Sequence, residues 1–312
     1  MNASAEPSRF PPNRPRLSLG PLLYYWPREK VEDFYQRACG SEFDVVYLGE
    51  VVCSRRHELR LADWIAIGRM LREAGKEVVL STQALLESES DLKTLRRIAD
   101  NGEFAVEAND LGAVGLVAGK GPFVAGPHLN IYNRESLEWI NGLGAMRWVM
   151  PVEISRDALA ILQRGRPPGF ETEVFACGRL PLAFSARCFT ARHRNLPKDD
   201  CRFSCIDYPE GLELRTREAK SFLVLNGIQT QSAQVYNLVG ALPEFASLGI
   251  DLVRISPHSE TAFDIAGLFT RVLGGDLAPA EARRKMDAIM AGGSCDGYWH
   301  GRPGIESAGN VR

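Results

Sequence analysis

DVVYLGEVVCSRRHELRLADWIAIGRMLREAGKEVVLS, residues 44–81, contains one complete strand, helix, strand unit. Residues 45–48 are a continuous apolar run of strand length. Leu61, Trp64, Ile65, Ile67 and Leu71 then recur at helical spacing and stop near Gly75, and residues 78–81 form a second apolar run. A parallel neighbour requires a crossover connection, and a helix of this length supplies one.

The same alternation extends to both sides. Further strand-like runs lie at residues 17–24, 104–107, 123–125, 148–152, 173–175 and 252–255. Between them, Pro27 suits a first helical turn and Val31, Phe34, Tyr35 and Ala38 form one apolar face that Gly40 ends. Asn109 or Asp110 can cap a later helix, and Ser155 can cap the one carrying Leu159 and Leu162. Eight strand candidates is the number of a closed α/β barrel. The competing architecture is an open doubly wound sheet, but no Gly-x-Gly-x-x-Gly follows any of the strands, which removes the usual reason to prefer a dinucleotide fold. The expectation is a TIM-barrel-like parallel (β/α)8 domain over residues 17–312. A cysteine-bearing insertion over about residues 180–222 falls between strands seven and eight, too long for a simple turn and in need of its own structure or a metal. Residues 1–16 hold four prolines and three arginines with hardly any apolar content, and read as a disordered leader.

The bulk properties narrow the function classes. At 312 residues, 45% apolar and 24% charged, the chain is a folded globular protein rather than a disordered or fibrous one. Its 37 Lys and Arg against 39 Asp and Glu give a formal charge of -2, so there is no global attraction for nucleic acid or an anionic membrane. No apolar run approaches the roughly 20 residues of a membrane span, and no secretory signal opens the chain. Cytoplasmic residence is expected, where cysteines stay reduced.

Those cysteines carry the chemistry. Of seven, Cys188, Cys201 and Cys205 fall within eighteen residues, and Cys53 lies far upstream, five residues past the second strand. In a parallel barrel every loop that follows a strand emerges on one face, so a loop after strand two and a segment after strand seven can converge there. Four thiolates together suit structural zinc or an iron-sulfur cluster. The short Cys201 to Cys205 spacing fits zinc, whereas the irregular draw from distant loops fits the bulkier cluster, and a metal-free reading stays open. Cys39, Cys177 and Cys295 read as small buried hydrophobes. Arg187 and Arg192 bracket Cys188 and could offset thiolate charge or bind an acidic substrate. Glu50 and Arg55 flank Cys53, while Glu107, Asn109, His128, Asn130 and Glu153 end successive strands, where a barrel holds groups that bind anions or move protons. His57 and Glu58 open like a zincin helix, but Leu61 stands where the second histidine would be. No nucleophile elbow, phosphate loop or compact three-cysteine radical signature is present.

Six blocks then carry a resemblance: SLGPLLYYWP from Ser18, DVVYLGEVVCSRR from Asp44, NGEFAVEANDLG from Asn101, RLPLAFSARCFTAR from Arg179, PKDDCRFSCIDYPEG from Pro197 and VLNGIQTQS from Val224. Together they resemble the UbiV family of oxygen-independent ubiquinone biosynthesis, within the collagenase-like peptidase superfamily, from about Ser18 to CDGYW at Cys295. The resemblance implies a cytoplasmic protein with one 4Fe-4S cluster, held by Cys53, Cys188, Cys201 and Cys205. It implies a heterodimer with a UbiU-like paralogue that hydroxylates the aromatic ring of a ubiquinone precursor without dioxygen, helped by a UbiT-like lipid-binding accessory protein. Prephenate is an oxygen donor by resemblance only. Peptidase activity is not implied, and no catalytic residue beyond the cluster ligands is assigned. Related superfamily members modify RNA bases, so RNA-base hydroxylation is a second enzymatic reading. A metal-stabilised scaffold for a catalytic partner is a third.

Overall fold

The computed structural model describes residues 14–290 and 292–307. Most of the leader expected over residues 1–16 therefore lies outside the described residues, although Arg16 itself opens the first strand. Strands β1 (Arg16–Leu19), β2 (Val45–Leu48), β3 (Glu77–Ser81), β4 (Ala105–Ala108), β5 (Phe123–Ala125), β6 (Ala145–Met150) and β7 (Glu171–Phe184) pair in chain order, each parallel to the next. After an insertion containing β8 (Leu212–Arg215), β9 (Ser221–Asn226) and β10 (Gln229–Asn237), β11 (Leu252–Ile255) pairs in parallel with both β7 and β1 and closes the barrel.

Helices α1 (Arg28–Cys39), α2 (Leu61–Glu73), α3 (Glu89–Ala99), α4 (Leu111–Val117), α5 (Arg134–Gly142) and α6 (Arg156–Gln163) follow β1 to β6 in turn. Asp110 caps α4 by accepting from the Gly112 N–H at 2.6 Å, and Ser155 caps α6 by accepting from Ala158 at 3.3 Å. The insertion holds the short α7 (Phe189–His193); α8 (Leu242–Phe245) precedes β11, and α9 (Thr261–Leu273) and α10 (Pro279–Ile289) follow it. Among the described residues no helix is long and apolar enough to cross a membrane.

The two faces of the strands have different partners. Leu17, Leu19, Val46, Leu48, Leu80 and Val106 face the helices in one extended apolar core, whereas Val45, Tyr47, Val79, Val124, Val149 and Leu252 form a separate small core inside the barrel. Charged side chains fill the rest of that interior. Arg147 reaches Glu77 at 2.8 Å and Glu171 at 2.6 Å, and Arg16 bonds the same two carboxylates. Glu173 receives Arg254 Nε at 2.7 Å together with the Tyr47 and Ser18 hydroxyls, while Arg254 also lies 2.8 Å from Glu107. Burial works against the Glu173 charge, yet Arg254 and Arg147 hold its carboxyl below the usual range.

β7 departs most from expectation. The run expected at residues 173–175 is a strand of fourteen residues, so Cys177 lies within it rather than after it. Its first half belongs to the barrel and its second half pairs antiparallel with β10, which continues to β9 and β8. The short β12 (Ser294–Cys295) adds to β10. Gly178 and Pro181 read as strand breakers, but the strand passes Gly178 at φ +142, where a Cβ would stand 2.7 Å from that of Ser256. Elsewhere the breakers act as such: Gly20 and Pro21 end the first strand earlier than residue 24, and Pro151 ends β6 at Met150.

Candidate thiol site above the barrel

The turn after β2 is built around Glu50. Its carboxylate accepts the N–H groups of Val52 at 2.9 Å and Cys53 at 3.0 Å, which folds the chain back and fixes the Cys53 backbone. Arg56 then donates its N–H to the Cys53 carbonyl at 3.0 Å, and its side chain runs inward. There it reaches the Leu23 carbonyl at 2.7 Å, the Asn226 side-chain oxygen at 2.6 Å and Glu50 at 3.6 Å. At 5% exposure Arg56 is a buried cation whose Nε has no hydrogen-bond partner among the described residues.

The insertion closes over this turn at several points. Gly227, between β9 and β10, sits at φ +64 with Arg56 Nη2 3.1 Å from where a Cβ would stand. The Gly227 N–H donates to Thr190 Oγ1 at 3.1 Å and its carbonyl accepts from Phe189 at 2.9 Å, seating the start of α7 beside Arg56. Cys188 is the N-cap of that helix, with Sγ accepting from the Ala191 N–H at 3.4 Å. Arg55 Nη2 donates to the Asp199 carbonyl at 2.6 Å, which draws the segment leading to Cys201 against the Cys53 turn. Between Cys201 and Cys205 the chain turns through Arg202 and Phe203, both with positive φ, and the Phe203 ring meets the edge of His57 at 4.8 Å.

Three of the four expected thiols are thus brought into one electrostatic neighbourhood. Cys188 is within reach of both Cys53 and Cys205, and Arg56 of Cys53 and Cys205, with a side-chain hydrogen bond to Cys205. Cys201 lies four residues before Cys205 on the segment that Arg55 anchors. All four are free and half-buried. Burial pushes the Cys53 thiol up to about 11 and raises that of Cys205, with Arg56 opposing both. Burial lowers the Arg56 pKa, but Glu50, Cys205 and Cys53 outweigh it and raise it overall, so the guanidinium stays charged.

The remaining expected residues divide. Arg187 and Arg192 are exposed, and the cation beside the thiols is Arg56, which the sequence reading passed over although it ends the block CSRR. Glu107 and Asn109 belong to the barrel interior, where Ser81 donates to Glu107 at 2.7 Å and Asn109 to the Thr82 carbonyl at 3.0 Å. His128, Asn130 and Glu153 line a separate hollow of about 270 Å³ with Phe184, over the ends of β5 to β7. Cys39, Cys177 and Cys295 are distributed through the core or against it, as small hydrophobes should be.

A family model described as Peptidase family U32 matches residues 30–308. Among solved structures, the chain is similar to the U32 peptidase Mk0906 at 11% identity and TM-score 0.44, over 82% of this chain and 98% of that one. It is similar to a tryptophan synthase complex chain from Pyrococcus furiosus at 11% identity and TM-score 0.44, over 84% and 98%. A third likeness, at 14% identity and TM-score 0.40 over 81% and 90%, is to dihydropteroate synthase from Stenotrophomonas maltophilia.

Proposed function

The chain belongs to peptidase family U32, and we propose that within it this protein is the 4Fe-4S subunit of a heterodimeric, oxygen-independent hydroxylase acting on aromatic-ring precursors of ubiquinone. The observation that carries the proposal is the meeting of the Cys53 turn with the cysteines of the insertion around buried Arg56. The donor set fits the group: four thiols and a buried guanidinium with a spare N–H to offset the charge of sulfur ligands. The draw of ligands from distant loops with irregular spacing supports a cluster over a single zinc ion.

When bound, the cluster supplies one-electron transfer. The chain's own residues hold its surroundings: Glu50 orients the Cys53 turn, Arg56 balances charge, and the rings of Tyr25 and His57 pack against Phe203 on the segment between Cys201 and Cys205. Four thiol ligands leave no position for substrate, so the oxidation-state change would be relayed to chemistry shared with a UbiU-like partner, and the UbiT-like accessory protein would present the lipid substrate. The compartment we propose is the cytoplasm, where the thiols stay reduced.

The test is iron and sulfide content after anaerobic purification, in the parent and in single Cys→Ser variants at positions 53, 188, 201 and 205. About four irons and four sulfides per chain, lost in each variant, is the expected result. Stoichiometric zinc, or iron that persists in all four variants, would remove the proposal. Deleting the gene should block quinone ring hydroxylation only in the absence of oxygen.

A further inference from the structure

Behind the thiol site runs a buried row of hydrogen bonds, and Arg56 is its end at the sulfurs. Arg56 Nη1 donates to the Leu23 carbonyl at 2.7 Å and Nη2 to Asn226 Oδ1 at 2.6 Å. Asn226 Nδ2 donates in turn to the same carbonyl at 2.8 Å and to Gln229 Oε1 at 3.2 Å, which also accepts from Gln231 Nε2 at 3.0 Å. The Tyr24 hydroxyl donates to Gln231 Oε1 at 2.8 Å and accepts from Arg179 Nη1 at 3.2 Å. Tyr24, Asn226, Gln229 and Gln231 are each at most 3% exposed. The row thus ties the segment after β1 to β9 and β10 and holds the guanidinium between them. Gly227 at φ +64 closes the remaining side, since a Cβ there would stand 3.1 Å from Arg56 Nη2.

Iron-sulfur potentials follow the net charge of the cluster and the hydrogen bonds its sulfurs receive. With four thiolate ligands the reduced cluster carries one more negative charge than the oxidised one, so a fixed cation beside it favours reduction. Depth decides how strongly. Arg56 is 5% exposed and little screened by salt, whereas Arg187 and Arg192 are exposed and screened. Glu50 at 3.6 Å offsets part of the Arg56 charge, but the guanidinium is within reach of Cys53 and Cys205, and its partnerless Nε leaves a donor over for sulfur. We propose that Arg56 sets the reduction potential of the cluster, raising it by stabilising the reduced state, and that Asn226 is the positioning residue that keeps the guanidinium at the sulfurs. This role rests on the 4Fe-4S reading of the thiols and adds to it two residues that are not ligands.

The experiment is a potentiometric titration of the anaerobically purified full-length chain with dithionite and redox mediators, following the paramagnetic signal of the reduced cluster, with iron content measured alongside. At a fixed solution potential Arg56→Gln should hold at least tenfold less reduced cluster relative to oxidised, a midpoint lower by at least about 59 mV for one electron. Arg56→Lys restores the charge without the planar fork and should recover more than half of that shift. Asn226→Leu keeps the charge but releases Nη2, and its midpoint should fall between those of the parent and Arg56→Gln. Replacing the exposed Arg187 or Arg192 by Gln should leave the midpoint where it is. A four-iron Arg56→Gln chain with the parent's midpoint overturns the assignment, as does a Lys variant as low as the Gln variant. If Arg56→Gln takes up no iron, Asn226→Leu decides: a loaded variant at the parent's midpoint overturns the assignment, and a lowered midpoint upholds it. A parent chain without iron loses the cluster reading and this role together, whereas four irons with a midpoint indifferent to Arg56 removes this role alone.

Discussion

Arg254 is 3% exposed and faces two buried carboxylates, Glu107 at 2.8 Å and Glu173 at 2.7 Å, with its guanidinium stacked 4.0 Å over the Tyr47 ring. Removing one partner of such a group strands the other charge, so Arg254→Met should cost about 3–5 kcal/mol of unfolding free energy in urea titration. Adding Glu173→Gln to that variant should return part of the loss, because one of the stranded charges goes with it. His258 offers a pH test. Burial, reinforced by Arg179, lowers its pKa to about 4, so the native state holds it neutral while the unfolded chain takes up a proton near pH 6.5. Its contribution is therefore complete above about pH 6.5 and lost as pH falls toward 4, by at most about 3 kcal/mol. His258→Asn should flatten the fall in urea midpoint between pH 7 and pH 5, and an unchanged slope would refute the assignment. At this scale the cysteine clustering stood out in the sequence because thiols are rare, and of the four expected ligands the fold brings Cys53, Cys188 and Cys205 into one neighbourhood. Arg56 and Arg254 did not stand out, since an arginine becomes a buried charge only when distant carboxylates, Glu50 or Glu173, are folded against it.

Elements were legible where local pattern and tertiary environment agree. β2, β5 and β11 lie where short apolar runs put them, and Gly40 and Ser155 bound their helices. β7 escaped because a strand buried on both faces shows no alternation to extend, and because Gly178 and Pro181 signal an end that the structure does not take. The reason lies in its neighbours: β7 follows β11 in parallel to Cys177, shifts register there, and is taken over by β10. Gly178 stands at that exchange, where an added Cβ would meet Ser256 and the Phe175 ring. Gly178→Ala combines a positive φ with a 2.7 Å contact, and should destabilise by about 2–4 kcal/mol. The loss should be read as earlier protease cleavage in the insertion together with a lower melting temperature. A variant as resistant as the parent would mean that the exchange is more tolerant than its geometry implies.

The molecule as a whole joins two regions of unequal self-sufficiency. The barrel has two apolar cores and an internally balanced ion network, and of the four cysteines expected to hold the cluster only Cys53 and Cys188 pack against one of them. Residues 185–211, in contrast, hold one α-helix of five residues, two short 3-10 helices and turns. They are attached through a small set of contacts, among them Arg55 to Asp199, Trp26 Nε1 to the Pro209 carbonyl at 2.7 Å, and the Lys198 ion pair with Glu87. A segment with so little apolar burial opens at low free energy, and a group bound by both it and the Cys53 turn stabilises the closed state by mass action. Hydrogen exchange on anaerobically purified protein should therefore slow at least tenfold in residues 50–57 and 185–211 when the iron-loaded chain is compared with the chelator-stripped one. Strands β2 to β6 should exchange alike in both. Protection gained evenly across the barrel would mean that the metal supports the fold itself, and no gain in either segment would mean that the two loops share no bound group.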